Sequence, residues 1–308
     1  MKTKDLKNVF VQLEKNEPAF AVSGERENLL MKWDALLGEA YSETTEELGK
    51  FYQKRVDKAL DEVEAYKGTT PRFWKLYSSG FIIKSPEKTI AVDVNGGCTP
   101  PNGRTKIVLK PSQMRRIADL ADEFYNTHSH EDHICGELCD AFARRKKLMV
   151  MPREAVCRWV IKGAVEAETF RGENVKIFMN WQGDVNGGLP CAMYLFTLSN
   201  NKNVFVRGDI YHDEGFVSCI EHVKKWGKRV DYAFLTPYYK GSIVPVETLY
   251  KEYQCRFIPI HEWEFSHRKL GNSGPATQCF EELYGAFALP YEKNCAQFLA
   301  WGESILLD

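Results

Sequence analysis

Three of the seven histidines in this 308-residue chain fall within six positions, in the run His128-Ser129-His130-Glu131-Asp132-His133. Imidazole and carboxylate are the donors expected around zinc, and also around manganese or iron. If the chain is extended at His128 and His130, alternation sends both side chains to the same side, where they can share one ion. Asp132 and His133 come after the chain has turned and can face a second ion nearby. A histidine-rich surface loop is the simpler alternative, but such a loop would rarely combine this spacing with the boundary described next.

That boundary is set by the neighbouring segments. Ala121 to Thr127 reads as a helix end running into a short strand, and Ile134 to Lys147 as an amphipathic helix with Ile134, Leu138 and Phe142 on one face. The run therefore sits between a strand end and a helix start. Residues 1–68 read as a helical extension. Leu29, Leu30, Trp33, Leu36 and Leu37 follow helical spacing behind Ser23 as N-cap, and Leu48, Phe51, Tyr52, Val56, Leu60 and Val63 form a second stripe, with Thr44 and Glu47 as its capping box. After Gly68-Thr69-Thr70-Pro71 the texture turns to short β-rich runs: Phe81 to Ile83, Ile90 to Val94, Val175 to Met179, Ala192 to Thr197, Val204 to Val206, Tyr232 to Leu235, Phe257 to Ile260 and Gln297 to Trp301. Two helical patterns lie among them, at about Ser112 to Asp122 and Ile134 to Lys147. Asn200-Asn201-Lys202-Asn203 reads as a turn between two strands. The mixture predicts a two-sheet core flanked by helices.

Composition narrows the partners. A net charge of −1 gives no global field toward nucleic acid or anionic lipid. The basic runs Arg144-Arg145-Lys146-Lys147 and Lys224 to Arg229 fit solvated helix ends, where cations complement the dipole. The opening MKTKDLKNVF has no long apolar stretch, so neither a signal peptide nor a membrane anchor is expected. The nine cysteines are scattered, with no CxxC pair, and read as thiols of a reducing, cytoplasmic compartment. No nucleophile elbow, phosphate loop or dinucleotide fingerprint is present.

The run at 128–133 resembles the HxHxDH signature of the metallo-β-lactamase superfamily, whose fold is a four-layer αββα sandwich of the α/β (α+β) class. Ala91-Val92-Asp93-Val94-Asn95-Gly96-Gly97 is similar to the first motif of that family, Val206-Arg207-Gly208-Asp209 to its fourth and Ile258-Pro259-Ile260-His261 to its fifth. His261-Glu262-Trp263-Glu264-Phe265-Ser266-His267 resembles an ending of the HENELGH type. The resemblance implies one αββα domain over 69–308. It also implies metal ligands His128, His130, Asp132, His133, Asp209 and His261, with Asp209 shared by two ions and Asp93 steadying the ligand loops. One departure stands out. The third motif of the family is a histidine, and no histidine occurs between His133 and His212. Its equivalent lies in Asn180-Trp181-Gln182-Gly183-Asp184, where Gln182, Asp184 or Asn180 could give an oxygen ligand and shift the first site toward harder metals. The second site, Asp132, His133, Asp209 and His261, is complete.

The implied cofactor is one or two divalent ions, zinc before manganese or iron. A metal-bound hydroxide would attack a small-molecule ester, lactone or phosphoester, with Asp132 orienting the nucleophile and His267 protonating the leaving group. Tyr238, Tyr239 and Lys240 are candidates for substrate contacts. His212 fits a surface position better than the metals, and His222 has no expected role. The rival readings are a phosphodiesterase or RNA-cleaving enzyme of the same fold, and a non-catalytic metal-binding or sensing protein. His130 disfavours the iron oxidoreductase branch, which has glutamate there, and Asp209 disfavours the β-lactamases that carry cysteine.

Overall fold

The computed structural model describes residues 3–20, 24–42, 46–98, 107–182, 188–210, 212–235, 244–261 and 295–308. Three helices open the chain: α1 (Thr3–Lys15), α2 (Gly24–Ser42) and α3 (Glu46–Ala65). There follow β1 (Arg72–Lys75), β2 (Phe81–Lys84), β3 (Thr89–Val92), β4 (Gly97–Cys98), β5 (Ile107–Val108), α4 (Pro111–Leu120), β6 (Glu123–Tyr125), α5 (Gly136–Arg144), β7 (Leu148–Met151), α6 (Arg153–Trp159) and β8 (Val165–Glu166). The second half contains β9 (Val175–Trp181), β10 (Pro190–Thr197), β11 (Asn203–Val206), α7 (Asp213–Lys225), β12 (Tyr232–Leu235), α8 (Val244–Tyr253), β13 (Arg256–Pro259) and β14 (Ser304–Leu306).

Two sheets carry the fold. The first has the order β14-β1-β2-β3-β6-β7-β8 and the second β13-β12-β11-β10-β9. The strands alternate strictly between two cores. Ala192, Tyr194 and Phe196 of β10, Val204 and Val206 of β11, and Tyr232 and Phe234 of β12 enter the core between the sheets, where they meet Phe73, Phe81, Ile83, Val92 and Val150. Their neighbours Met193, Leu195, Phe205, Ala233 and Leu235 face outward into a second core with the helices. This period of two is what makes each sheet bury both faces. The result is the two-sheet core flanked by helices that the sequence pattern predicts, in the four-layer αββα form that the resemblance implies. Among the described residues, no helix is long and apolar enough to cross a membrane.

The helical extension packs on the first sheet. Leu6, Phe10 and Leu13 of α1, Leu30 and Trp33 of α2, and Leu48, Tyr52, Val56 and Leu60 of α3 are buried. Trp301 is edge-on to Trp33 at 5.7 Å and to Tyr52 at 5.3 Å. Ser23 and Thr44, the expected caps, lie outside the described residues.

Two expectations change. Gln297 to Trp301 is not a strand. The chain makes one parallel bridge there, between Phe257 and Ala296, then turns at Ala300–Glu303 with Gly302 at φ 74. The true edge strand follows at Ser304–Leu306. That apolar run is buried as an irregular segment, which hydropathy cannot tell from a strand. The second half also holds more helix than its texture suggests, because α6, α7 and α8 are short crossovers between β-rich runs. The Asn200–Asn203 turn stands between antiparallel β10 and β11, with Asn201 at φ 63.

Candidate metal centre

Every residue of the centre sits just beyond the C-terminal end of a strand. Asp93 follows β3, the 128–133 run follows β6, Gln182 follows β9, Asp209 follows β11 and His261 follows β13. Parallel pairing of β3 with β6, of β11 with β12 and of β12 with β13 brings these ends to one rim of the sandwich.

Four donors converge there. His133 Nε2 is 3.4 Å from Asp132 Oδ2 and 3.4 Å from Asp209 Oδ2. His261 Nε2 is 2.8 Å from Asp132 Oδ2 and 3.5 Å from Asp209 Oδ2. All four donor atoms lie within 4.8 Å of one another. A tetrahedral ion with bonds of about 2.1 Å separates its ligands by roughly 3.4 Å, so the set has the right size for zinc. His133 Nε2 is buried and makes no hydrogen bond, which an ion at the centre of the group would remedy. On these observations the residues fit a divalent ion. A second group shares Asp209. His128 Nε2 is 3.7 Å from Asp209 Oδ2 and 3.2 Å from His130 Nδ1. The rings of His128 and His130 come together, although the chain bends at Ser129 between them and is not the extended strand that alternation assumes.

The surroundings fix these donors. Asp93 accepts from the Thr127 amide at 2.7 Å, Thr127 Oγ1 at 2.6 Å, Asn126 Nδ2 at 3.2 Å and His133 Nδ1 at 2.9 Å. The last bond puts the His133 proton on Nδ1 and turns Nε2 toward the other donors. Asn95 Nδ2 donates to the Asp132 carbonyl. Asp93 and His261 both stand in the left-handed region, at φ 46 and φ 75, and His261 is held by its amide donating to Ser78 O at 3.2 Å. Backbone strain of this kind gathers where a site over-determines the chain. Gly208 is required at φ 62, since an added Cβ would lie 2.7 Å from Cys191 Sγ and 2.8 Å from Thr127 Cβ. That close approach delivers Asp209.

Burial pushes the carboxyls of Asp132 and Asp209 up, but the surrounding imidazoles outweigh it and hold both well below the usual range. Burial likewise opposes charge on His133 and His261, and the carboxylates of Asp132 and Asp209 reverse that and raise both. At His128 burial wins, helped by the charge of His133, and the imidazole is held neutral.

Of the residues named for the missing third-motif histidine, Gln182 is brought to the centre. The Gln182 side chain lies beside His130, with Nε2 3.0 Å from Nδ1. Turning the amide over presents its oxygen instead. The Asn180 side chain is engaged elsewhere. Its Nδ2 donates to Gly215 O at 3.0 Å and its Oδ1 accepts from the Trp181 amide, so the side chain is committed to the start of α7. Asp184, Tyr238, Tyr239, Lys240 and the proposed acid His267 lie outside the described residues. His212 caps α7, with Nδ1 accepting from the Gly215 amide at 2.9 Å, and His222 stacks on Phe178. Sequence reasoning passed over Thr127, Asn126 and Trp159, whose indole N–H donates to Ser129 O at 2.9 Å. Nothing in their residue types announces a role. Only their placement beside the ligands does.

No protein-family model matches the chain, and no curated protein does. Solved structures do. A possible metal-dependent hydrolase from Veillonella parvula DSM 2008 is 12% identical over 78% of this chain and 100% of its own, with a TM-score of 0.56. The isothiocyanate hydrolase from Delia radicum gut bacteria is 12% identical over 77% of this chain and 99% of its own, with a TM-score of 0.53. Igni18, a metallo hydrolase from Ignicoccus hospitalis, is 17% identical over 78% and 99%, with a TM-score of 0.52. At such identities the likeness is one of fold.

Proposed function

We propose, from the premise that this chain has the metallo-β-lactamase fold, that it is a metal-dependent hydrolase acting on a small molecule. The observation that carries the reading is the convergence of His133 Nε2, His261 Nε2 and the carboxylates of Asp132 and Asp209 in a buried group, with His133 Nε2 lacking a hydrogen bond. A divalent ion bound there supplies Lewis acidity and an acidified water at neutral pH. The protein does the rest. Asp93 holds the His133 tautomer, Asp209 links the two donor groups, and Asp132, 2.8 Å from His261 Nε2, would hold the ion and orient the nucleophile. His130 and His261 are the partly exposed members, so substrate reaches the centre past these two imidazoles.

Zinc is the favoured ion, because the second group is two imidazoles and two carboxylates at tetrahedral spacing. Gln182 completes the first group with an amide oxygen, which suits manganese or iron as well. The chemistry favoured is attack on an ester, lactone or phosphoester, and the isothiocyanate hydrolase among the neighbours adds heterocumulenes to the electrophiles worth testing.

Elemental analysis of protein purified without chelator, followed by assay of ester, lactone, phosphodiester and isothiocyanate substrates with zinc or manganese, tests the reading. One or two ions per chain with turnover of any of these supports it. Absence of bound metal after incubation with both ions would overturn it in favour of a non-catalytic role.

A further inference from the structure

We infer that the cleft between β8 and β9 holds an apolar arm of the substrate, so that the hydrolysed compound carries an alkyl or aryl group next to its reactive centre. This rests on the metal-dependent hydrolase reading and names its substrate class. The two sheets close tightly along most of their facing surface. On β10 the inward row Ala192, Tyr194 and Phe196 is buried. One strand further out the inward row is only partly covered. Ile177 and Met179 of β9 pack against the inter-sheet core but are only half-buried. Alternation places Trp181 next in the same row, and it is 44% exposed.

The opposite wall is β8. Val165 pairs with Val150, which belongs to the inter-sheet core, so Val165 faces the same side and is 37% exposed. Tyr194 Oη donates to Asn126 O at 2.7 Å, which seats β10 over β6 and therefore β9 over the β7–β8 edge. The two walls end on adjacent residues of the metal loop. On one side α6, which leads into β8, is tied to Ser129 through Trp159. On the other, Gln182 follows Trp181 and touches His130. An apolar row of Ile177, Met179 and Trp181, about 13 Å long at strand rise, thus runs from the inter-sheet core to the open side of the centre. Single exposed apolar residues are ordinary, whereas apolar residues on the edge strands of both sheets that continue into a polar site are the lining expected of a ligand cleft.

Binding of straight-chain carboxylates to the zinc-loaded protein tests this without relying on turnover. Acetate, butanoate, hexanoate and octanoate share a head group that reaches the ion and differ only in the arm. Calorimetry should show affinity rising about fourfold per methylene, the value for burying one such group. Trp181→Ser combined with Val165→Ser should flatten that rise while acetate affinity and metal content stay unchanged. Val217→Ser, at an equally exposed valine on α7 outside the cleft, should keep it. A flat series in the unmodified protein, or an unchanged slope in the double variant, overturns the cleft and leaves the metal reading standing. Failure to bind zinc and acetate would overturn the metal reading and this inference with it.

Discussion

Among the described residues, the buried charges around Arg26 and those of the metal centre are finished differently. At the junction of the extension with the C-terminal segment, the Arg26 guanidinium forms a fork with Glu303, at 2.6 and 3.2 Å, and donates to Asn16 O, Phe298 O and Gln297 Oε1. Glu303 Oε2 also accepts from the Ala300 amide. Each charge there has a fixed counterpart supplied by the chain. At the metal centre, two carboxylates and four imidazoles bring their donor atoms together, and His133 Nε2 has no hydrogen bond. A polar cluster that closes on itself holds a fold together, and one that converges without closing awaits a cation.

The comparison can be broken at its structural end first. Arg26→Met leaves Glu303 buried without its partner and should cost about 3–5 kcal/mol of stability, measured by chemical denaturation. Adding Glu303→Leu should recover part of that. A loss below about 1 kcal/mol for the single variant would show that the clamp holds little. Zinc should act at the other end. At a hundredfold excess over its Kd it should add about 2.7 kcal/mol, or roughly 5–10 °C in Tm. Asp209→Asn, which removes the shared carboxylate, should abolish that response. Equal zinc responses in both proteins would place the ion elsewhere.

A third change separates ligands from their supports. Asp93→Asn keeps the shape and tolerates the left-handed backbone. It offers His133 Nδ1 a donor where an acceptor stood, which favours the tautomer whose Nε2 proton faces the centre. Metal affinity should fall about 10–100-fold with both donor groups otherwise intact. Competition against a chromophoric chelator measures it, and unchanged affinity would remove Asp93 from the account.

Much of this was legible beforehand, and the reasons are local. The period-two runs of β10, β11 and β12 and the helical stripe of α3 are strong signals, because burial on two faces dictates them. The ligand run announced itself by residue type. The segment from Gln297 to Trp301 misled because burial alone was visible and its hydrogen bonding was not. Arg26 gave no signal, since its side-chain partners Gln297 and Glu303 lie more than 270 residues away. Thr127 and Gly208 matter through distances of under 3 Å that only the fold creates.

The smallest expected effect addresses the one place where the chain leaves the familiar pattern. Gln182 stands beside His130 at the point where the resemblance predicts an imidazole. An amide oxygen is a weak, hard donor, and imidazole suits zinc better. Gln182→His should therefore tighten zinc at the first group by roughly tenfold, the lower end of what ligand supports usually produce, and should do less for manganese. Stability of the metal-free protein should change little, because the side chain stands at the rim and not in either core. If zinc and manganese gain equally, the site is limited by access or charge and not by donor type. If zinc weakens, the glutamine is already a good ligand, and the departure from the family pattern is a working adaptation of this centre.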